Sequence, residues 1–63
     1  MNQVKALSVA RKEFGPSAFT EDTVNYKRIG FKAGGIYNST IADTWEDCIK
    51  KLKEGKVLNM QFG

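Results

Sequence analysis

The chain has 63 residues, ten Lys and Arg against seven Asp and Glu, and no histidine. Its formal net charge of +3 is compatible with an anionic partner but too mild to define one. Without histidine the commonest general base and a leading metal ligand are missing, and a single cysteine excludes an intrachain disulfide.

A chain this short is expected to form one domain, residues 1–63, and to bury only about 60% of its unfolded surface. With no disulfide to add stability, self-association is an expected way of adding burial. The lone thiol favours a reducing, cytoplasmic setting. No apolar run approaches the roughly 20 residues of a membrane span, and the opening MNQVKALSVARKEF lacks the unbroken apolar run of a signal peptide.

Asn2–Phe14 reads as a helix. Val4, Leu7, Ala10 and Phe14 recur at three- and four-residue steps and make one apolar stripe. Asn2 suits the N-cap, and Gly15-Pro16 ends the helix. Ser17–Thr23 reads as a connector, with Phe19 anchoring it to the core, Glu21-Asp22 in an exposed turn, and a short strand at Ala18–Thr20 as an option that would enlarge the sheet.

Next come two β-prone runs around Gly34-Gly35. Two glycines supply the positive φ angles of a two-residue hairpin turn, which would set Ala33 opposite Ile36, Lys32 opposite Tyr37, Phe31 opposite Asn38 and Ile29 opposite Thr40. A three-residue turn would shift this pairing. With the two-residue turn, Ile29, Phe31, Ala33 and Ile36 share a core face. Tyr26, Arg28, Lys32, Tyr37 and Ile41 share the other, with the small residues Gly30 and Ser39 leaving a shallow gap between them.

Asp43–Glu54 is a second helix in which every local signal agrees. Asp43 or Thr44 can cap it, and Trp45, Cys48, Ile49 and Leu52 make its buried stripe. Glu46 and Asp47 precede Lys50, Lys51 and Lys53 in the order the helix dipole favours, and Gly55 closes it. Lys56–Gly63 alternates as a strand with Leu58, Met60 and Phe62 on one side. It could return to the sheet by a helical crossover or pair with another copy of the chain.

These elements predict a small α+β domain of order α-β-β-α(-β), a central antiparallel hairpin covered on one face by helices. In topology the order resembles that of double-stranded-RNA-binding domains and of small sheet-plus-helix DNA-binding modules. The RNA-binding family presents a basic, Gly- and Ser-containing approach to its last helix. Here Asp43, Glu46 and Asp47 make that approach acidic, so no residues carry over.

Catalysis finds no footing. Cys48 falls on an apolar stripe, where a thiol behaves as a small hydrophobe. Capping and the helix dipole account for Asp43, Glu46 and Asp47, and the glycines match no phosphate-binding loop. The expectation is therefore a non-enzymatic binding or regulatory protein without cofactor, metal or membrane. It would occupy a partner protein, in the manner of phage and mobile-element accessory proteins, and would itself form a homo-oligomer. The candidate binding residues are Tyr26, Arg28, Lys32 and Tyr37, with Leu58, Met60 and Phe62 as an oligomer interface. The alternative is nucleic acid or a small nucleotide on the same face, bases stacking on the tyrosines and phosphates meeting the cations.

Overall fold

The computed structural model describes residues 1–56 and the backbone of 58–61. Helix α1 (Gln3–Phe14), strands β1 (Phe19–Asp22), β2 (Lys27–Ala33) and β3 (Ile36–Ala42), helix α2 (Trp45–Lys53) and strand β4 (Leu58–Gln61) follow in chain order. The strands form one four-stranded antiparallel sheet in the order β1-β2-β3-β4. Both helices lie against it, so the α+β arrangement is the expected one, with the closing strand β4 at one edge of the hairpin and β1 added at the other.

The hairpin has the two-residue turn. Gly34 and Gly35 sit at φ 59° and 80°, a region that costs a residue with a Cβ about 1–2 kcal/mol. The register is Ala33 to Ile36, Lys32 to Tyr37, Phe31 to Asn38 and Ile29 to Thr40. Side-chain alternation then fixes two faces of the sheet.

On the helix face, Ile29 is fully buried and forms one core cluster with Ala6, Ala10, Ala18, Trp45, Cys48, Ile49 and Leu52. Burying an isoleucine side chain contributes about 1.5–3 kcal/mol. Phe14 and Phe31 stack at 5.2 Å between ring centroids and extend this core towards the hairpin turn. Helix α2 supplies the stripe Trp45, Cys48, Ile49 and Leu52 as its spacing predicts, and Thr44 is the residue that caps it, accepting from Asp47 N at 3.1 Å. At its far end Gly55 N–H reaches Leu52 O and Lys56 N–H reaches Lys51 O, the paired bonds of a Schellman ending.

Helix α1 keeps Ala10 and Phe14 of its expected stripe on the core side but not Val4. Asn2 caps it, accepting from Lys5 N at 2.8 Å, but the residues that pack inward are Ala6 and Ala10, with Val9 and Phe14 beside them. Val4 is 78% exposed. Ala6 and Ala10 are completely buried between helix and sheet, where a larger side chain would hold the layers apart. The expected stripe thus took in Val4, which is exposed, and left out Ala6, which is buried.

Strand β1 is longer than the optional strand and replaces the expected turn at Glu21-Asp22. It pairs Phe19 with Gly30, Thr20 with Ile29, Glu21 with Arg28 and Asp22 with Lys27. Hydroxyls bracket it. Ser17 Oγ accepts from Lys32 N at 2.9 Å and donates to Lys32 O at 3.2 Å, and Thr23 Oγ1 does the same for Tyr26 at 3.0 and 2.7 Å. Each thereby satisfies backbone groups where the ladder ends.

Strand β4 pairs within the chain, antiparallel to β3, with Leu58 opposite Ser39 and Met60 opposite Tyr37. Of the expected oligomer residues, Leu58 and Met60 are thus placed by backbone register in an edge strand. Phe62 lies outside the described residues. Ile41 stands beyond the last β4 partner, and the Lys51 ammonium donates to its carbonyl at 3.0 Å.

Candidate functional site: the open sheet face

The face turned away from both helices is built by parity. Tyr26, Arg28, Gly30 and Lys32 alternate along the approach to β2 and the strand itself, and their cross-strand partners in β3 are Ile41, Ser39 and Tyr37. Strand β1 adds Phe19 opposite Gly30 and Glu21 opposite Arg28. All four expected binding residues therefore share one surface, uncovered by any helix of the chain.

The gap expected at Gly30 and Ser39 is filled. The Phe19 ring lies directly on Gly30: a Cβ built there would stand 2.5 Å from Phe19 Cζ and 3.0 Å from Ser39 Cβ. Phe19 thus belongs to the open face and does not anchor the connector in the core. Its ring meets the edge of Tyr37 at 6.0 Å and 66°. The Lys32 ammonium lies 5.8 Å from the Tyr37 ring centroid. A close-packed Lys32–Tyr37–Phe19 group results.

At the other end Arg28 is held from three sides. Its Nε donates to Glu21 Oε1 at 3.3 Å and its Nη1 to the Ser39 hydroxyl at 3.0 Å, and its guanidinium carbon lies 5.4 Å from the Tyr26 ring centroid. Tyr26 does most to stabilise the cation and raises its pKa further against the opposing effect of burial, with Glu21 adding to the rise. Ser39 is completely buried beneath this arrangement. The guanidinium is therefore preorganised, and its charge is met inside the chain.

Lys27, on the helix face, is engaged in the same way. It reaches Asp22 at 2.9 Å and lies 5.1 Å from the Trp45 ring centroid. The two acids thought to mark a turn thus oppose the two consecutive cations of β2. Sequence reasoning missed Phe19 and Glu21 as members of the face. The signal was there: a strand over Glu21-Asp22 turning back into Lys27-Arg28 sets opposite charges directly across from one another.

Beside Tyr26 an open cleft of about 410 Å³ is lined by Tyr26, Ile41, Ala42, Asp43, Asp47 and Lys51, a mixture of signs with no convergent set of donors or acceptors. Cys48 lies beneath the opposite face, its thiol donating to Lys27 O at 3.1 Å, and burial pushes its pKa up. Among the described residues no group of three His, Cys, Asp or Glu side chains could hold a metal ion, and no helix is long and apolar enough to cross a membrane. No family model, curated protein or solved structure matches the chain.

What the arrangement offers is a flat, partly apolar platform. Tyr26, Phe19 and Tyr37 run along it, Ile41 (36% exposed) lies opposite Arg28, and a fixed guanidinium and one ammonium provide the polar contacts. Aromatics and arginine held in place are the residue types that lose least conformational entropy on association.

Proposed function

We propose that the chain is a small non-enzymatic binding module, cytoplasmic and of accessory or inhibitor type, that acts by occupying a partner protein with its open sheet face. The observation that carries this reading is the Arg28 arrangement. A guanidinium fixed by Glu21, Ser39 and Tyr26 presents a rigid donor beside exposed apolar surface while adding little net charge. That combination suits a protein surface, where affinity comes from preformed aromatic and arginine contacts.

A second reading is single-stranded nucleic acid or a nucleotide stacked on Phe19 and Tyr37, with Lys32 beside them to meet a phosphate. It draws on fewer cations than the sequence offers, because Arg28 and Lys27 already face carboxylates.

Affinity capture from the source cell, with and without nuclease, separates the two readings. The wild-type chain is compared with a Tyr37→Ser, Lys32→Glu double variant. Protein retained by the wild type after nuclease and lost by the variant is the expected result. Recovery that disappears with nuclease, or falls steeply with salt, supports the nucleic-acid reading. Equal recovery by both chains contradicts any role for this face.

A further inference from the structure

The sheet is closed by α1 and α2 on one side only, and Phe19, Tyr37 and Ile41 lie on the side that no helix covers. We propose that a second copy of this chain covers it, sheet face against sheet face, as an isologous dimer. The proposal rests on the reading of this face as a protein-docking surface and names one occupant for it.

Three features point to a copy of the same chain. The first is flatness. Gly30 projects no side chain, Phe19 lies down over it, and Ser39 is sunk beneath Arg28, so the middle of the face has neither a knob nor a hole. Two flat sheet faces pack at about 10 Å with their strands within about 30°.

The second is charge. Arg28 is neutralised on its own face by Glu21, and Lys32 lies over the Tyr37 ring opposite it in the register. The face carries both signs in close proximity, so an identical face meets it without setting an uncompensated block of cations against another.

The third is area. Two strands of seven residues and two of four, at about 3.3 Å per residue and about 4.8 Å between strands, give a platform of roughly 350 Å². Two such platforms brought together remove roughly 700 Å² before side-chain relief is counted, below the about 1,000–1,200 Å² of stable specific association and in the range of weak, transient contacts. An interface of this size gives a weak, concentration-dependent dimer. It also gives a 63-residue chain the extra buried surface that its small core lacks.

Sedimentation velocity from low micromolar to millimolar protein tests the proposal. The wild type is expected to move from monomer to dimer across that range. Ile41→Glu and Tyr37→Glu should remain monomeric, and Val4→Glu, on the outer side of α1, should behave as wild type. Should the open-face variants fail to fold by circular dichroism, a dilution series of wild-type amide spectra decides instead. Concentration-dependent shifts centred on Phe19, Lys32, Tyr37 and Ile41 support the dimer. Shifts centred on α1, or none at all, overturn it.

A wild type that is monomeric throughout overturns it too, and so does a dimer that survives both open-face variants. If the chain is monomeric while the Tyr37→Ser, Lys32→Glu variant still loses its captured protein, self-association fails and the docking reading stands. If the dimer forms through this face and capture is unaffected by the double variant, the proposed function fails alone.

Discussion

The Phe19 ring rests on the backbone of Gly30, so close that a Cβ at Gly30 would fall 2.5 Å from the Phe19 Cζ atom. An edge-strand aromatic thus covers a strand glycine that would otherwise leave bare backbone at the centre of the sheet. The contact also fixes where Phe19 stands against Tyr37, and with it the shape of the open face.

Gly30→Ala should therefore cost about 1–3 kcal/mol, the usual cost of overpacking. The loss should be smaller in a Phe19→Ala background, because the colliding ring is gone. Urea unfolding of the four chains in a double-mutant cycle measures the coupling. Equal losses in both backgrounds would mean that the ring does not sit where it is described.

Arg28 has two polar partners of unequal weight. Its pair with Glu21 is largely solvated, with the carboxylate side chain 53% exposed, so Glu21→Gln should cost less than about 1 kcal/mol and less again in high salt. Arg28→Ala also removes the donor to the buried Ser39 hydroxyl and should cost more, about 1–3 kcal/mol. Chemical denaturation of both variants at low and high salt gives the ranking. A larger loss for Glu21→Gln would reverse it.

Cys48 gives a pH signature. Burial raises the thiol's folded-state pKa, with Asp47 adding to the rise and Lys51 opposing it. The unfolded thiol therefore ionises first. Stability contributed by the neutral buried thiol is complete below the ordinary thiol range near about 8.5 and falls as pH rises through it towards the folded value. Thermal melts of wild type and Cys48→Ala across alkaline pH should diverge in slope only above that range. A thiol reagent should react at the rate of global or local unfolding, and rapid labelling of the folded chain would count against the burial.

Helix α1 supplies a test of packing. Val4→Lys should change stability by no more than about 0.5 kcal/mol, since the side chain is 78% exposed. Ala6→Leu should cost about 1–3 kcal/mol, because it pushes a larger group into the seam with the sheet. The opposite ranking would restore the stripe through Val4.

These cases also mark how far the sequence was legible. The hairpin register followed from Gly34-Gly35, and α2 followed from its capping, charge order and four-residue apolar stripe, because each of those signals is local. The face shared by Tyr26, Arg28, Lys32 and Tyr37 came with the register. The inward side of α1 came only in part: Ala10 and Phe14 pack inward as expected, but Val4 is exposed and the small Ala6, which a search for large apolar residues passes over, is buried. Phe19 and Glu21 were misplaced for another reason. Their environment is set by pairing with Gly30 and Arg28, seven or more residues away, and only the complementary charges of Glu21-Asp22 and Lys27-Arg28 announce that pairing. The pairing of β4 with β3 likewise depends on a contact across the length of α2.

The most direct test of the open face is cross-saturation from whichever protein the wild-type chain retains after nuclease, read on the amides of the chain in the complex. The account predicts attenuation at Phe19, Lys32, Tyr37 and Ile41, with the outer residues of α1 (Lys5, Ser8 and Lys12) unaffected. Attenuation confined to α1 would place the docking surface on the helix layer and contradict the central claim.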